Sequence, residues 1–357
     1  MLCLFLLCCV KLEDEEWSSL ERQFSQSYSS SFFPSPQGPQ DSLFPPYLQI
    51  AVGDVAWHTA LVQHTSSPNL FVCRVQLVNN EWVWVKGVAP GLDTQSSASK
   101  QAVESVLHEA QVLSQLRSFY LPMFFGLCLT VPHPFLVLEY IPGISLRDLT
   151  TSSGLEGEAS MIFKSVKDLL QSWELRWQLV ADIVVGLSVL HSHIPHSLTH
   201  GDLRSANFLV DTCTLRGKLT GLSRARSSEK TEEAEIENLK KAEVVTLGGI
   251  LTELACMRDV FAGGSQPSCY ADVADKLPED LPEDWRELLE KCFTKCSIKK
   301  VFRFLEKRKK MENRFGSLFS FSPISRVHFY IFPQSVDCSR LNIVFCHSGP
   351  QVERMNF

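Results

Sequence analysis

The hydrophobic period of this chain changes once, and that change restricts its fold more than any other feature. Near the start the apolar residues alternate, as they do in half-buried strands. "HTALVQ" is a short strand candidate, and "LFVCRVQLV" and "EWVWVKGV" flank "NN", a hairpin signal. After the run ending at Leu116, helical stripes take over, interrupted by short strand patterns at "PFLVLEYI", "FLV" and "KLT". A small antiparallel sheet followed by a larger helical unit is the architecture this order predicts, an α+β fold in two lobes.

The stripes are specific. Val103, Val106, Leu107, Ala110 and Leu113 recur at three and four residues, so "SSASKQAVESVLHEAQVLSQL" reads as an amphipathic helix. After a polar insert, Val180, Ile183, Val184, Leu187 and Leu190 make a second stripe. "VVTLGGILTELA" is apolar all round and reads as a buried helix, and two more helical stretches fall near 283–293 and 298–313. "KKVFRFLEKRKK" looks basic, but Val301, Phe304 and Leu305 give it an inward face that closes the helical lobe.

The ends read differently. Residues 1–46 include a stretch rich in Ser, Gln, Pro and Phe with no sustained period, which predicts a flexible leader. The apolar run in "MLCLFLLCCVKLEDEE" is about ten residues, too short to cross a bilayer. It lacks the basic start and cleavage site of a signal peptide. The expected domain covers 47–314, with a first lobe to about 139 and a second from about 140, and 315–357 is a tail of uncertain structure. The length of 357 residues accommodates one such domain of about 250 residues with tails.

Composition narrows the function classes. A net charge of −6 argues against a nucleic-acid partner, since neutralising phosphates needs a basic surface. Twelve cysteines are scattered without a C-x-x-C pair, which speaks against a zinc site and fits reduced thiols in a cytoplasmic protein.

Five motifs then fall in a recognisable order: "LHEAQVLSQL", "FLVLEYIPGISLRDL", "LSVLHSH", "THGDLRSANFLV" and "LGGILTELA". Together they resemble the protein kinase superfamily, nearest to its tyrosine-kinase and tyrosine-kinase-like branches, over about residues 55–310. The resemblance implies a bilobal fold that uses ATP and Mg²⁺. It places Lys86 where the V-A-I-K lysine contacts nucleotide phosphates and Glu109 where its helix partner stands. It also places Glu139 and Ile141 on the segment that lines the nucleotide, Asp202 at the catalytic base, and Asn207 at a metal ligand.

The same comparison exposes losses. Gly201 replaces the arginine of H-R-D, so no charge is available there to pair with a phosphorylated activation segment. Around Gly221 two alignments are open. Either Gly221-Leu222-Ser223 occupies the D-F-G place, or Asp and Phe are deleted and Gly221 is the surviving glycine. Both leave no carboxylate for the second metal site. About twenty residues separate Gly221 from Glu243, which stands where the family has the aspartate of D-V-W-S-F-G. "RARSSEKTEEAEIENLKKAE" contains no A-P-E and reads as a charged helix or loop. The candidate phosphate loop, "HTSSPN", has no glycine, and the alternative "VGDVAWH" has only Gly53. Trp84 shares a strand face with Lys86 and would fill the adenine's space; in another register it packs in the outer core of the lobe.

These readings predict a pseudokinase, a binding or regulatory module in signalling with a protein partner and with ATP and Mg²⁺ binding weak or absent. The alternative is a weakly active ATP-dependent protein kinase acting on protein Ser/Thr or Tyr hydroxyls. A third reading is a chain whose D-F-G to A-P-E segment is present in another transcript. Arg204 leans toward the tyrosine-kinase pattern.

Overall fold

In a computed structural model the described residues are 44, 48–63, 69–89, 96–129, 134–151, 158–261 and 266–315. Strands β1 (Val55–Gln63), β2 (Leu70–Leu77), β3 (Trp82–Val88), β4 (Phe124–Cys128) and β5 (Phe135–Glu139) form one antiparallel sheet in the order β1-β2-β3-β5-β4. Helix α1 (Ser97–Ser114) lies between β3 and β4 in sequence and packs on the sheet. Its entry is capped by Ser96, whose side chain accepts the Ser99 amide. This is the predicted first lobe, and the "NN" hairpin joins β2 to β3 in register.

Alternation gives the sheet two different faces. Val75, Val83, Val85, Phe135 and Val137 pack into an outer core with Trp57 against it. On the other side Val88 and Leu136 meet Ala102, Val106 and Ala110 of α1. The α1 stripe is therefore the one the spacing predicts, with Val103 and Leu107 partly buried at its margin.

The helical lobe follows. It contains β6 (Gly143–Ser145), α2 (Leu146–Thr150), α3 (Glu158–Leu169), α4 (Trp173–His191), β7 (Leu198–Thr199), β8 (Phe208–Asp211), β9 (Gly217–Leu219) and β10 (Arg226–Ser227). Then come α5 (Glu233–Cys256), α6 (Ala271–Ala274), α7 (Glu283–Phe293) and α8 (Ile298–Phe315). Strands β6, β8 and β9 make a small sheet on the cleft side, and β7 pairs with β10. Val180, Ile183, Val184, Leu187 and Leu190 of α4 are all buried, packed with α5 and with Trp285, Leu288 and Leu289 of α7. Val301 of α8 is buried, and Phe304 and Leu305 pack partly buried against the same core.

The architecture is the bilobal kinase fold, mixed α+β. Three features depart from the sequence reading. The polar insert contains α3, whose Val166, together with Leu170 just beyond it, is buried although the acidic and Ser/Gly start conceals the helical spacing. Helix α5 begins well before "VVTLGGILTELA" and runs for 24 residues, about 36 Å. Phe44, within the expected leader, is buried in the first lobe. The rest of the leader up to residue 43 and the tail from 316 lie outside the described residues. So do 64–68, which carry most of "HTSSPN"; "VGDVAWH" is instead a 3-10 turn, Val52–Asp54, leading into β1.

One buried ion pair ties α4 to the small sheet. Asp182 accepts from Arg216 Nε at 2.9 Å, from Arg216 Nη2 at 2.7 Å and from the Gly217 amide at 2.8 Å. This hydrogen bonding from Asp182 raises the Arg216 pKa above its ordinary value. Asp182→Ala strands the guanidinium and the amide, and is expected to cost about 3 kcal/mol in a urea denaturation experiment. An unchanged midpoint would mean that the pair does not fasten β9.

Candidate active site

The site is built where β3, α1, the β5 exit and the β7–β9 segment converge. Lys86 is third from last on β3, and its Nζ lies 2.5 Å from Glu109 Oε2 on α1. Glu109 is buried while the lysine keeps some exposure, so the pair is held in a partly desolvated place where a charge-assisted bond is strong. The resemblance implies that these two pair, and they are in contact here.

Asp202 and Asn207 are likewise adjacent. Asn207 Nδ2 donates to the Asp202 carbonyl at 2.7 Å and to its Oδ2 at 3.1 Å. Arg204 Nη2 stands 3.3 Å from the same carboxylate oxygen. The Asn207 carbonyl accepts the Thr220 amide at 2.8 Å, which fixes the strand after β9 beside the loop. His200 sits beneath, fully buried. Its Nδ1 accepts the Asp202 amide at 3.2 Å, so Nε2 carries the proton and donates to the Thr220 carbonyl at 2.8 Å. Burial lowers its pKa, consistent with a neutral ring that braces the loop.

Gly221 follows Thr220 with φ +80, in the left-handed region. A Cβ built there would lie 2.9 Å from Cγ and Oδ1 of Asn207. Position 221 therefore faces the Asn207 amide, and the next residue, Leu222, is buried under α1. In either alignment the position that faces Asn207 carries no carboxylate. Among the described residues no group of three or more His, Cys, Asp or Glu side chains is arranged to hold a metal ion. Asn207 and Asp202 remain as side-chain oxygen donors here, and position 221 adds no carboxylate to them, where Mg²⁺ in phosphate sites is held by one or two carboxylates together with phosphate and water oxygens.

The roof of the cleft is aromatic. Trp84 lies on the Lys86 face of β3, opposite Arg74 of β2 and Leu138 of β5. Its ring is 5.3 Å from that of Tyr140, which immediately follows β5. The Arg74 guanidinium carbon is 3.6 Å from the Trp82 ring centre and 5.5 Å from that of Tyr140. The outer-core register for Trp84 is excluded, because Val83 and Val85 take that face. Arg74 and Tyr140 were missed by sequence reasoning, since cross-strand register is not written in local pattern. Glu139 points its carboxylate away along β4: Oε2 accepts Lys218 Nζ at 2.8 Å and the Met123 amide at 3.0 Å. Ile141 is buried, and its carbonyl accepts the Gly143 amide at 2.8 Å.

Residues 79–247 match the family model described as protein tyrosine and serine/threonine kinase. The domain is protein-kinase-like. Three relatives carry kinase or receptor names. A putative receptor-like protein kinase of Arabidopsis thaliana is 31% identical over 121 residues, covering 33% of this chain and 16% of that protein. Atrial natriuretic peptide receptor 2 of Anguilla japonica is 27% identical over 208 residues, 52% of this chain and 17% of the receptor. A G-type lectin S-receptor-like serine/threonine-protein kinase of Arabidopsis thaliana is 26% identical over 223 residues, 56% and 25% respectively. The chain thus spans a quarter or less of the length of these three relatives.

The segment between Gly221 and Glu243 is where this kinase-like domain is most altered. After the 3-10 turn Leu222–Arg224, β10 pairs with β7 and the chain enters α5 within a few residues. The charged stretch is thus mainly helix, the first of the two forms expected for it. Glu243 on α5 accepts the Gly201 amide at 2.7 Å and faces His191 Nε2 at 2.8 Å, so the loop hangs from it. Gly201 has φ +76, and a Cβ there would lie 1.9 Å from the Arg224 carbonyl oxygen. The glycine is more than a lost charge: its bare backbone is what lets the short segment pass. Gly201→Arg, which restores the kinase residue, is expected to lower stability by about 2 kcal/mol or more in thermal denaturation, with Gly201→Ala close behind. Equal stability of Gly201→Arg and wild type would refute this packing.

Proposed function

We propose that the protein is a pseudokinase of the tyrosine-kinase-like branch, a binding or regulatory module in signalling that does not transfer phosphate. The observation that carries the reading is Gly221 beside Asn207. Transfer needs Mg²⁺ anchored on protein oxygens and bridging the phosphates, and here the position facing Asn207 has no side chain. The Trp84–Tyr140 contact on the Lys86 face supports weak or absent ATP binding, because it fills the side of the cleft where the adenine ring would lie. The Arg226–Ser227 strand and the early start of α5 support the loss of a substrate platform.

A second reading has its own observation. The Lys86–Glu109 pair is closed, and Asp202 and Asn207 keep a catalytic arrangement. This favours a weakly active ATP-dependent kinase acting on Ser/Thr or Tyr hydroxyls. The partner is a protein in either case: the net charge of −6 disfavours nucleic acid. The scatter of the twelve cysteines without a C-x-x-C pair supports a cytoplasmic setting. Among the described residues no helix is long and apolar enough to cross a membrane.

The full chain, incubated with radiolabelled ATP and Mg²⁺ and with generic Ser/Thr and Tyr peptides, is expected to show no transfer above an Asp202→Ala control. Transfer that vanishes in that control would establish the second reading and end the first.

A further inference from the structure

Phe44 precedes the first strand, yet its side chain is only 2% exposed. It joins Val88 of β3, Leu127 of β4 and Leu136 of β5 with Ala102, Val106 and Ala110 of α1. Three of these six residues are on α1, and two of them lie within one turn of Glu109 in sequence. Val106 is one turn before Glu109 and Ala110 is the residue after it. A shift of that turn moves Glu109 with it.

The backbone near Phe44 is fastened as well. Gln49 Nε2 donates to the Phe44 carbonyl at 3.0 Å. Gln49 forms a parallel bridge with Leu127, and the Ile50 amide donates to the Leu127 carbonyl at 3.0 Å. The flank therefore adds to the outer edge of β4, the last strand of the sheet. It crosses where β4 has no side chain: a Cβ on Gly126 would lie 2.6 Å from the Leu48 carbonyl oxygen. The flank is thus fastened at two places, by Phe44 in the cluster with α1 and by Leu48–Ile50 on the edge of β4.

On its other side α1 rests on the altered segment. Leu222 is buried there, and His108 Nε2 donates to the Ala225 carbonyl at 2.7 Å. The helix is thus gripped from both sides by segments of its own chain.

We propose that the flank bearing Phe44 is an intrinsic clamp, with Phe44 as a positioning residue that holds α1 inward and keeps Lys86 paired with Glu109. Burial of the phenyl ring and the strand-edge bonds supply the holding force, and the pair is their readout. The inference concerns the shape of the lobe and stands whether or not the cleft transfers phosphate.

The test uses the full chain. Amide hydrogen exchange and acylation of Lys86 by an amine-reactive ester are followed by mass spectrometry well below the unfolding transition. Phe44→Ala is expected to raise α1 exchange and Lys86 acylation by about tenfold, while α5 exchange and acylation of the exposed Lys241 stay within about twofold. Phe44→Leu, which refills the pocket, is expected to return both to near wild type. Gly126→Ala, which obstructs the crossing without touching α1, is expected to reproduce the Phe44→Ala result, and it decides alone if Phe44→Ala does not yield folded protein. Unchanged α1 exchange and Lys86 labelling overturn the proposal. So does a rise shared equally by α5 and Lys241, which is the mark of general destabilisation.

Discussion

The carboxylate of Glu243 is the joint on which the altered site hangs. It lies on α5 where that helix enters the core, accepts the Gly201 amide at 2.7 Å and faces His191 at 2.8 Å. A carboxylate with a backbone donor and an imidazole beside it in a buried place is hard to move, since any shift leaves a charge without its donors. The loop carrying Asp202 and Asn207 is therefore held to the helical lobe, and the chain from Gly221 must reach α5 across that fixed point. With few residues available it runs directly over Gly201, close enough that only a glycine fits. The loop thus keeps the frame of a kinase site while the segment in front of it is reshaped.

The upper side of the cleft is fixed by different forces. Lys86 and Glu109 meet across β3 and α1, and the aromatic rings of Trp84 and Tyr140 lie together beside them. Helix α1 is held by Phe44 and the flank on one side and by Leu222 and Ala225 on the other. Each contact is ordinary in size, but they act on one rigid helix, and their effects converge on Glu109. A closed ion pair is therefore no evidence that nucleotide is bound; packing within the chain accounts for it.

Much of this was legible in the sequence, for physical reasons. Period-two alternation gave β2 and β3, an unbroken apolar run gave β5 because both of its faces are covered, and the Val180–Leu190 stripe gave α4 because it faces the core. The resemblance put Lys86 with Glu109 and Asp202 with Asn207, and set Glu243 at the aspartate of D-V-W-S-F-G. What escaped depends on partners distant in sequence. Phe44 is a single buried ring in a Ser- and Pro-rich stretch, where no period announces it. Arg74 and Tyr140 meet the tryptophans through strand register. Gly201 reads as a missing charge until the Arg224 carbonyl is placed against it.

The central claim is that this frame has lost the metal-anchoring half of its nucleotide site. The most direct measurement is a thermal-shift titration of the full chain with ATP, in EDTA and in excess Mg²⁺. A ligand at about a hundred times its dissociation constant adds roughly 2.7 kcal/mol to stability, a readily visible shift. The account predicts no shift that depends on Mg²⁺, because Gly221 offers the ion no oxygen beside Asn207. A rise in melting temperature with ATP that appears in Mg²⁺ and disappears in EDTA would contradict it.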